Sequence, residues 1–330
     1  MKALTVIKST FLICALVLTV TVVQKSGRNV YASTFEESVD KDIVNDTTPV
    51  EPAGSDVKVV QSVTKLASKR WIQSFAQDNK YYYFIQMTNP YKGHLRITRV
   101  KYTGLGRYLK DYMDLKYFGH ATNLDCSLYK GKTYLWTGSN AASGSDVSRA
   151  ITGFQYKKNK TLYHHGTYTY KIPKGRWGKY VTNVYPAINE KSTKLAVRYT
   201  YRGNQYYQTY SLTKGTRINI RKPLKQVSLP STAGDFQGFD LYGSNTIYTI
   251  EGSPTKVFLS AYDKRRVFQP TIIRTWNLSS HLGSNRVING AQGLPFREPE
   301  GIKALKGRVL HIMFVSFRLT DQSCNIYKVK

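Results

Sequence analysis

The chain has 330 residues, with 49 Lys and Arg against 20 Asp and Glu, a formal charge of +29, and three cysteines. A chain of this length with 41% hydrophobic residues can bury a core without covalent staples, which excludes a disulfide scaffold. So large a basic excess excludes a preference for cationic ligands and turns attention to polyanions, drawn by long-range attraction that salt weakens.

The first residues, MKALTVIKSTFLICALVLTVTVVQKSGRNVYAS, place Lys2 and Lys8 ahead of an apolar run from Phe11 to Val23 and a small-residue site at Val30-Tyr31-Ala32. This is the pattern of a secretory signal peptide over 1–32. The apolar run is roughly 13 residues, short of the ~20 that a spanning helix requires, so cleavage is expected, with no transmembrane anchor afterwards. From Ser33 to Val57 seven carboxylates face Lys41 alone. An acidic disordered linker or propeptide is therefore expected over 33–67, because too little apolar surface is present to offset chain entropy. Without leader and linker, the body carries a charge of about +31. Its candidate partners are nucleic acid, anionic membrane and the phosphate polymers of cell walls, and export argues against nucleic acid.

Over 68–330 the text is β throughout. KYYYFIQMTN, HLRITRVKYTG, KTYLWTGS, AITGFQYKK, KLAVRYTYRGNQYYQTYSL, NTIYTIEGS and VLHIMFVSFRL fit period-two alternation or short buried runs, punctuated by Gly, Asn, Asp and Lys turns. Only GRYLKDYMDLKYFG leaves room for a turn or two of helix. Five stretches share one grammar of short strand, polar turn and stronger strand: RWIQSFAQDNKYYYFIQM, GHATNLDCSLYKGKTYLWTG, VYPAINEKSTKLAVRYT, FQGFDLYGSNTIYTIEGS and EPEGIKALKGRVLHIMFVSF. Their recurrence roughly every 50 to 65 residues predicts an all-β, five-bladed β-propeller over 68–330, in which radial closure leaves only short edges. The alternative is a pair of β-sandwiches, which would lack a common opening in every unit. The terminal IYKVK is expected to be a last strand in the sheet.

Motifs for chemistry are sparse. The body histidines show no metal-ligand spacing, and adjacent His164 and His165 would face opposite sides of a strand. No G-x-S-x-G elbow, phosphate loop or dinucleotide fingerprint is present. No metal, cofactor or catalytic residue is expected, and the chain reads as non-enzymatic. Cys126 and Cys324 remain once Cys14 leaves with the leader, and a bond between them stays open. LPSTAG, Leu229 to Gly234, mimics a sorting signal, but no hydrophobic tail follows and an interblade loop is expected.

Two stretches are candidates for ligand binding. In Lys157 to Tyr180, basic residues including Lys171, Lys174 and Arg176 interleave with Tyr168, Tyr170 and Trp177. Cations attract phosphates and exposed rings stack on sugars, although an ordinary hairpin with packed tyrosines has the same look. In REPEGI, Glu298 and Glu300 stand two apart, so in an extended chain both face one side. Two carboxylates are also what a glycoside hydrolase needs, but such a pair would not clasp a substrate from opposite sides. In a propeller the openings of the innermost strands gather at the mouth of the central channel, and Glu300 is expected to neutralise cations there and accept hydrogen bonds from neighbouring blades.

FGHATNLDCSLYKGKTYLWTGS, FQGFDLYGSNTIYTIEG and REPEGIKALKGRVLHIMFVSF resemble segments of the helveticin J family of large bacteriocins, and of the related propellers in teichoic-acid cluster proteins and staphylococcal phage receptor-binding proteins. The likeness covers roughly Ser68 to Lys330. It implies a five-bladed propeller acting at Gram-positive cell walls, with His120, Gln237, Glu298 and Glu300 converging at the channel mouth. GHATN departs from the phage-type pattern, in which a glycine commonly follows the histidine. The expectation is a secreted, helveticin J-like bacteriocin that binds anionic wall polymer such as teichoic acid. A wall-binding or adhesion module without lethal action is the alternative, and a wall-polymer hydrolase or transferase using Glu298, Glu300, Asp240 or Asp263 is a third.

Overall fold

The computed structural model describes residues 55–329 except 65, 103–110, 174–180, 231–233, 260–263, 292–293, 295 and 317–322. The expected leader and most of the linker, 1–54, lie outside the described residues. Among the described residues there is no α-helix, and the one helical turn is a 3₁₀ piece at Lys306–Arg308.

Strand β1 (Val57–Val63) precedes the repeats. The first blade comprises β2 (Ile72–Gln77), β3 (Tyr81–Asn89), β4 (His94–Lys101) and β5 (Asp111–Lys116); the second opens with β6 (Leu124–Tyr129), β7 (Lys132–Ser139) and β8 (Ala150–Phe154). Next, β9 (Thr161–Tyr163) crosses back to pair in parallel with β5, and β10 (Tyr168–Tyr170) completes the second blade. The third blade is β11 (Thr182–Ile188), β12 (Lys194–Tyr201), β13 (Asn204–Ser211) and β14 (Lys225–Ser228). The fourth is β15 (Phe236–Tyr242), β16 (Thr246–Glu251), β19 (Thr271–Asn277) and β20 (Gly283–Ile288), with the hairpin β17 (Lys256–Leu259) and β18 (Lys264–Val267) inserted between β16 and β19. The fifth is β21 (Arg297–Leu305), β22 (Val309–Ser316) and β23 (Ser323–Val329).

The predicted five-bladed β-propeller is therefore the fold, and the five shared openings are its innermost strands. Its last sheet has the order β1-β23-β22-β21, so the start of the chain supplies the outermost strand. Val57 pairs with Val329 and Val63 with Cys324, joining the two ends of the propeller. This corrects the linker expected over 33–67. VKVVQSV is short and follows an acidic segment, and its apolar residues find a partner only when the ring closes. Within IYKVK the described residues up to Val329 form a sheet strand as expected, covered on its outer side by β1.

Each sheet packs between two neighbours, so central strands are buried on both faces and read as continuous apolar runs instead of alternating. Five apolar clusters fill the five gaps; Ile85, Leu95, Leu124 and Leu135 sit between blades 1 and 2, for instance, and Phe75, Phe84, Met313 and Ile326 between blades 5 and 1. Hairpin turns follow from local chemistry. Lys130-Gly131 and Arg202-Gly203 have φ of 49° and 72°, and 50° and 81°, the doubly positive pair whose twist matches antiparallel strands.

The helical turn allowed for GRYLKDYMDLKYFG does not form over its described part, where Asp111–Lys116 is β5. Met113 and Leu115 are buried in the core while Asp111 and Asp114 pair across the strand with Arg99 and Arg96. Met113, Leu115 and the buried Asp111 share one face and Asp114 takes the other, a period of two that decides against helix. Cys126 and Cys324 are separate, buried free thiols on blades 2 and 5. LPSTAG falls between β14 and β15, with Leu229 in the core of that gap.

Candidate functional site: the channel mouth and axis

The innermost strands β2, β6, β11, β15 and β21 contact one another in a closed ring. Four of them open with a register shift against the next strand, at Ile72/Ser74, Thr182/Tyr185, Phe236/Gly238 and Pro299/Gly301. Such bulges bend a strand and re-aim its side chains. Glycine is needed here for close approach. A Cβ on Gly301 (φ 158°) would lie 3.1 Å from the Phe75 ring, whereas at Gly238 (φ 153°), where a Cβ would meet Asn123 Oδ1 and Gly301 Cα at 3.4 Å, the backbone conformation is what favours glycine.

Glu298 lies at this mouth and accepts a hydrogen bond from Gln237 Nε2 at 3.1 Å, while the same nitrogen donates to Gly252 O at 3.0 Å. Gln237 thereby ties β15 to β21. Burial pushes the Glu298 carboxyl up to about 7; the Gln237 hydrogen bond opposes the rise and Asp235 adds to it. Glu300 is only 5% exposed, and among the described residues no donor or cation reaches its carboxyl group. Burial, and then the nearby Glu298, push it well above the usual carboxylate range. Glu300 is the extra residue of the bulge, so strict alternation, on which a shared facing was inferred, is interrupted between the two.

His120 stands just ahead of β6 with its side chain 43% exposed, and its Nδ1 meets Asp146 Oδ2 at 2.7 Å. The remaining candidates do not converge here. Tyr168, Tyr170 and Lys171 lie on and just past the outermost strand of blade 2. Tyr170 stacks on Trp136, donates its hydroxyl to Thr216 O at 2.9 Å and accepts from Ile218 N, so it joins blade 2 to the loop of blade 3. Tyr168 meets Tyr134 edge-on, and Lys171 is exposed. Lys174, Arg176 and Trp177 lie outside the described residues, as does Asp263.

Glu300 does not neutralise the cation of the axis. That cation is Lys303, buried one layer deeper, with Nζ 2.7 Å from Asp125 Oδ1, 3.1 Å from Asp240 Oδ2 and 2.9 Å from Ile188 O. Burial opposes the Lys303 charge, but Asp125 and Asp240 outweigh it and hold the ammonium above its ordinary range. Asp125 also accepts from Ile188 N at 2.5 Å, and Asp240 from Ala304 N at 2.6 Å. Four blades are thus joined through one ion triad. Beside it, Asn123 donates to Pro186 O at 2.5 Å and accepts from Phe239 N at 3.1 Å, linking blades 2, 3 and 4. Sequence reasoning missed the triad although a signal existed. Asp125, Asp240 and Lys303 each stand two residues after Asn123, Gly238 and Gly301, the equivalent positions of three repeats. Asp240 is therefore spent on structure and does not serve as a free acid.

A closed ring of five sheets around an axis filled by side chains defines a five-bladed propeller. The sequence matches the phage 5-bladed beta propeller receptor binding platform domain over residues 71–306, and the chain belongs to that family. It is 28% identical over 255 residues to the putative major teichoic acid biosynthesis protein C of Bacillus subtilis (strain 168), covering 72% of this chain and 53% of the relative. The tail fiber of a Staphylococcus aureus phage shares its fold, with TM-score 0.59 and 17% identity over 83% of this chain and 52% of the fiber. The chain thus spans about half the length of both. A thermostable family-43 glycoside hydrolase overlaps at TM-score 0.40 and 11% identity, covering 77% of this chain and 88% of the hydrolase, too distant to bear on activity. Among the described residues no helix is long and apolar enough to cross a membrane.

Proposed function

We propose that this protein is an extracellular binding module whose propeller recognises an anionic polymer of the Gram-positive cell wall, of the teichoic-acid type. The observation that carries this reading is membership of a receptor-binding platform family in a chain of formal charge +29. The names of the Bacillus relative and of the staphylococcal tail fiber point to the same surface chemistry. A neutral or acidic platform would serve a different receptor; here attraction to polyphosphate is built into the whole body. The triad occupies Asp125 and Asp240 in a structural ion pair with Lys303. Secretion through the leader and bacteriocin action of the helveticin J kind are the finer form of this reading, with wall adhesion without killing as its counterpart.

One experiment separates them. Binding to Gram-positive walls should be strong at low salt, fall steeply as salt rises, and be lost on walls stripped of teichoic acid. Loss of viability of the bound cells supports the bacteriocin form, and binding without killing the adhesion form. Equal binding to stripped walls would overturn the polymer as receptor, and release of sugar phosphate abolished by Glu300→Gln would overturn the non-enzymatic reading.

A further inference from the structure

The cleft between blades 1 and 2 lies at the opposite ends of the innermost strands from the channel mouth. It encloses about 660 Å³, within the range of ligand sites. Its walls include Lys80, Tyr81, Arg99, Lys132 and Tyr156, with Asp78 at the turn between β2 and β3.

The arrangement is preorganised. Arg99 donates from Nε and Nη2 to the Asp111 carboxylate at 3.3 and 2.7 Å, and Tyr156 fixes the same carboxylate through its hydroxyl at 3.0 Å. The guanidinium carbon lies 4.6 Å from the ring centres of both Tyr81 and Tyr156. Carboxylate and rings therefore hold the planar group in place, while among the described residues its Nη1 edge carries no hydrogen bond. Asp78, the acid of the cleft, is saturated: Oδ1 accepts from the Lys80 and Tyr81 backbone nitrogens at 2.7 and 2.8 Å, and Oδ2 from the Tyr83 and Thr133 hydroxyls at 2.9 and 2.7 Å. Its lone pairs are turned into the fold. What remains open to a ligand is one guanidinium edge, the exposed ammonium groups of Lys80 and Lys132, and the apolar surface of Leu128, itself 38% exposed.

That set suits a phosphodiester flanked by a polyol or sugar. A guanidinium edge and two ammonium groups hold phosphate oxygens by charge-assisted hydrogen bonds, and the exposed Leu128 side chain offers apolar surface to the C–H groups of the carbon chain. We propose that this cleft is a subsite for one repeating unit of an anionic polyol-phosphate polymer, with Arg99 holding the phosphate. The inference rests on the wall-polymer reading above and locates it on a face that neither the repeat openings nor the basic stretch 157–180 pointed to.

The test is equilibrium binding of a poly(glycerol phosphate) chain to the protein at low salt. Lys80→Glu with Lys132→Glu is compared with Lys222→Glu with Lys306→Glu, exposed residues of blades 3 and 5 that carry the same change in net charge. The cleft pair should weaken binding about tenfold or more, and the control pair less than about threefold. Arg99→Lys keeps the charge but loses the fork and should also weaken binding; should it lower the thermal midpoint, the lysine pair decides alone. Equal losses from both pairs overturn the cleft and leave the wall-polymer reading standing, whereas no binding by the unaltered protein overturns that reading itself. A single-stranded DNA oligonucleotide that competes as well as the polyol phosphate, and loses as much to Lys80→Glu with Lys132→Glu, overturns the ligand class.

Discussion

Two sets of buried ionisable groups lie along the same axis, one layer apart, and were resolved in opposite ways. In the deeper layer Asp125 and Asp240 enclose Lys303, and backbone nitrogens complete the shell. At the mouth, Glu298 has only Gln237 and Glu300 has no partner among the described residues. Removing charges from water costs several kcal/mol per ion unless a partner and hydrogen bonds replace the lost hydration. The triad is paired against that cost, with Lys303 held charged between two aspartates even though burial pushes Asp240 well above the usual carboxylate range, while the mouth pair is raised with no cation to oppose it. A paired layer holds blades together, and an unpaired one is left sensitive to pH and to whatever enters the channel.

The comparison breaks most visibly at Lys303. Lys303→Met leaves two aspartates buried without a cation, and urea unfolding should show a loss of about 3–5 kcal/mol. Adding Asp125→Asn and Asp240→Asn should restore much of it; no recovery would show that the lysine stem, and not its charge, holds the axis. Asn123→Ala removes neutral bonds in the same layer and should cost about 1–3 kcal/mol by the same measurement. The gap between this and Lys303→Met isolates the part due to charge.

The mouth pair should behave in the opposite sense. Its folded carboxyl groups titrate above the ordinary carboxylate range, Glu298 near 7. For Glu298 that contribution is fully present below about pH 4.5 and is lost as pH rises through about 7, and Glu300 acts in the same direction. Glu300→Gln should leave stability at pH 5 nearly unchanged and raise it at pH 8 by about 1–2 kcal/mol, read as a flatter profile of thermal midpoint against pH. A loss at both pH values would mean that Glu300 holds a structural bond. The smallest effect is a local probe. Cys126 and Cys324 are both buried thiols whose burial pushes their titration up, so neither should react with a thiol reagent in the native protein. With Lys303→Met, Cys126 beside the triad should label before Cys324.

Much of the fold was legible because the propeller repeats one solution five times. Each opening pairs a short strand with a polar turn and a stronger strand, and the Gly-containing turns have one favoured geometry. Less of the site could be read. Glu298 and Gln237 meet at the channel mouth, but the axial cation expected for Glu300 from its repeat position is held by Asp125 and Asp240, and the bulge at Pro299/Gly301 interrupts the alternation on which a shared facing of Glu298 and Glu300 rested. Tyr170, a candidate platform, is half-buried against Trp136 and bonded through its hydroxyl to Thr216 and Ile218, and a partly covered tyrosine reads in sequence like one facing water. The Arg99 cleft escaped notice because Arg99, Lys80, Lys132 and Tyr156 come from separate hairpins, and nothing in their spacing brings them together.

The sequence by itself determined the class of fold, the number of blades and the approximate position of each innermost strand. These depend on local pattern and on composition, which survive without any knowledge of contacts. Tertiary structure alone decided that β1 closes the fifth blade, that Lys303 sits between two aspartates, and that one guanidinium edge stays open between blades 1 and 2. Each depends on residues far apart in the chain meeting where water has been excluded, and only there does the presence or absence of a partner set the charge of a buried group.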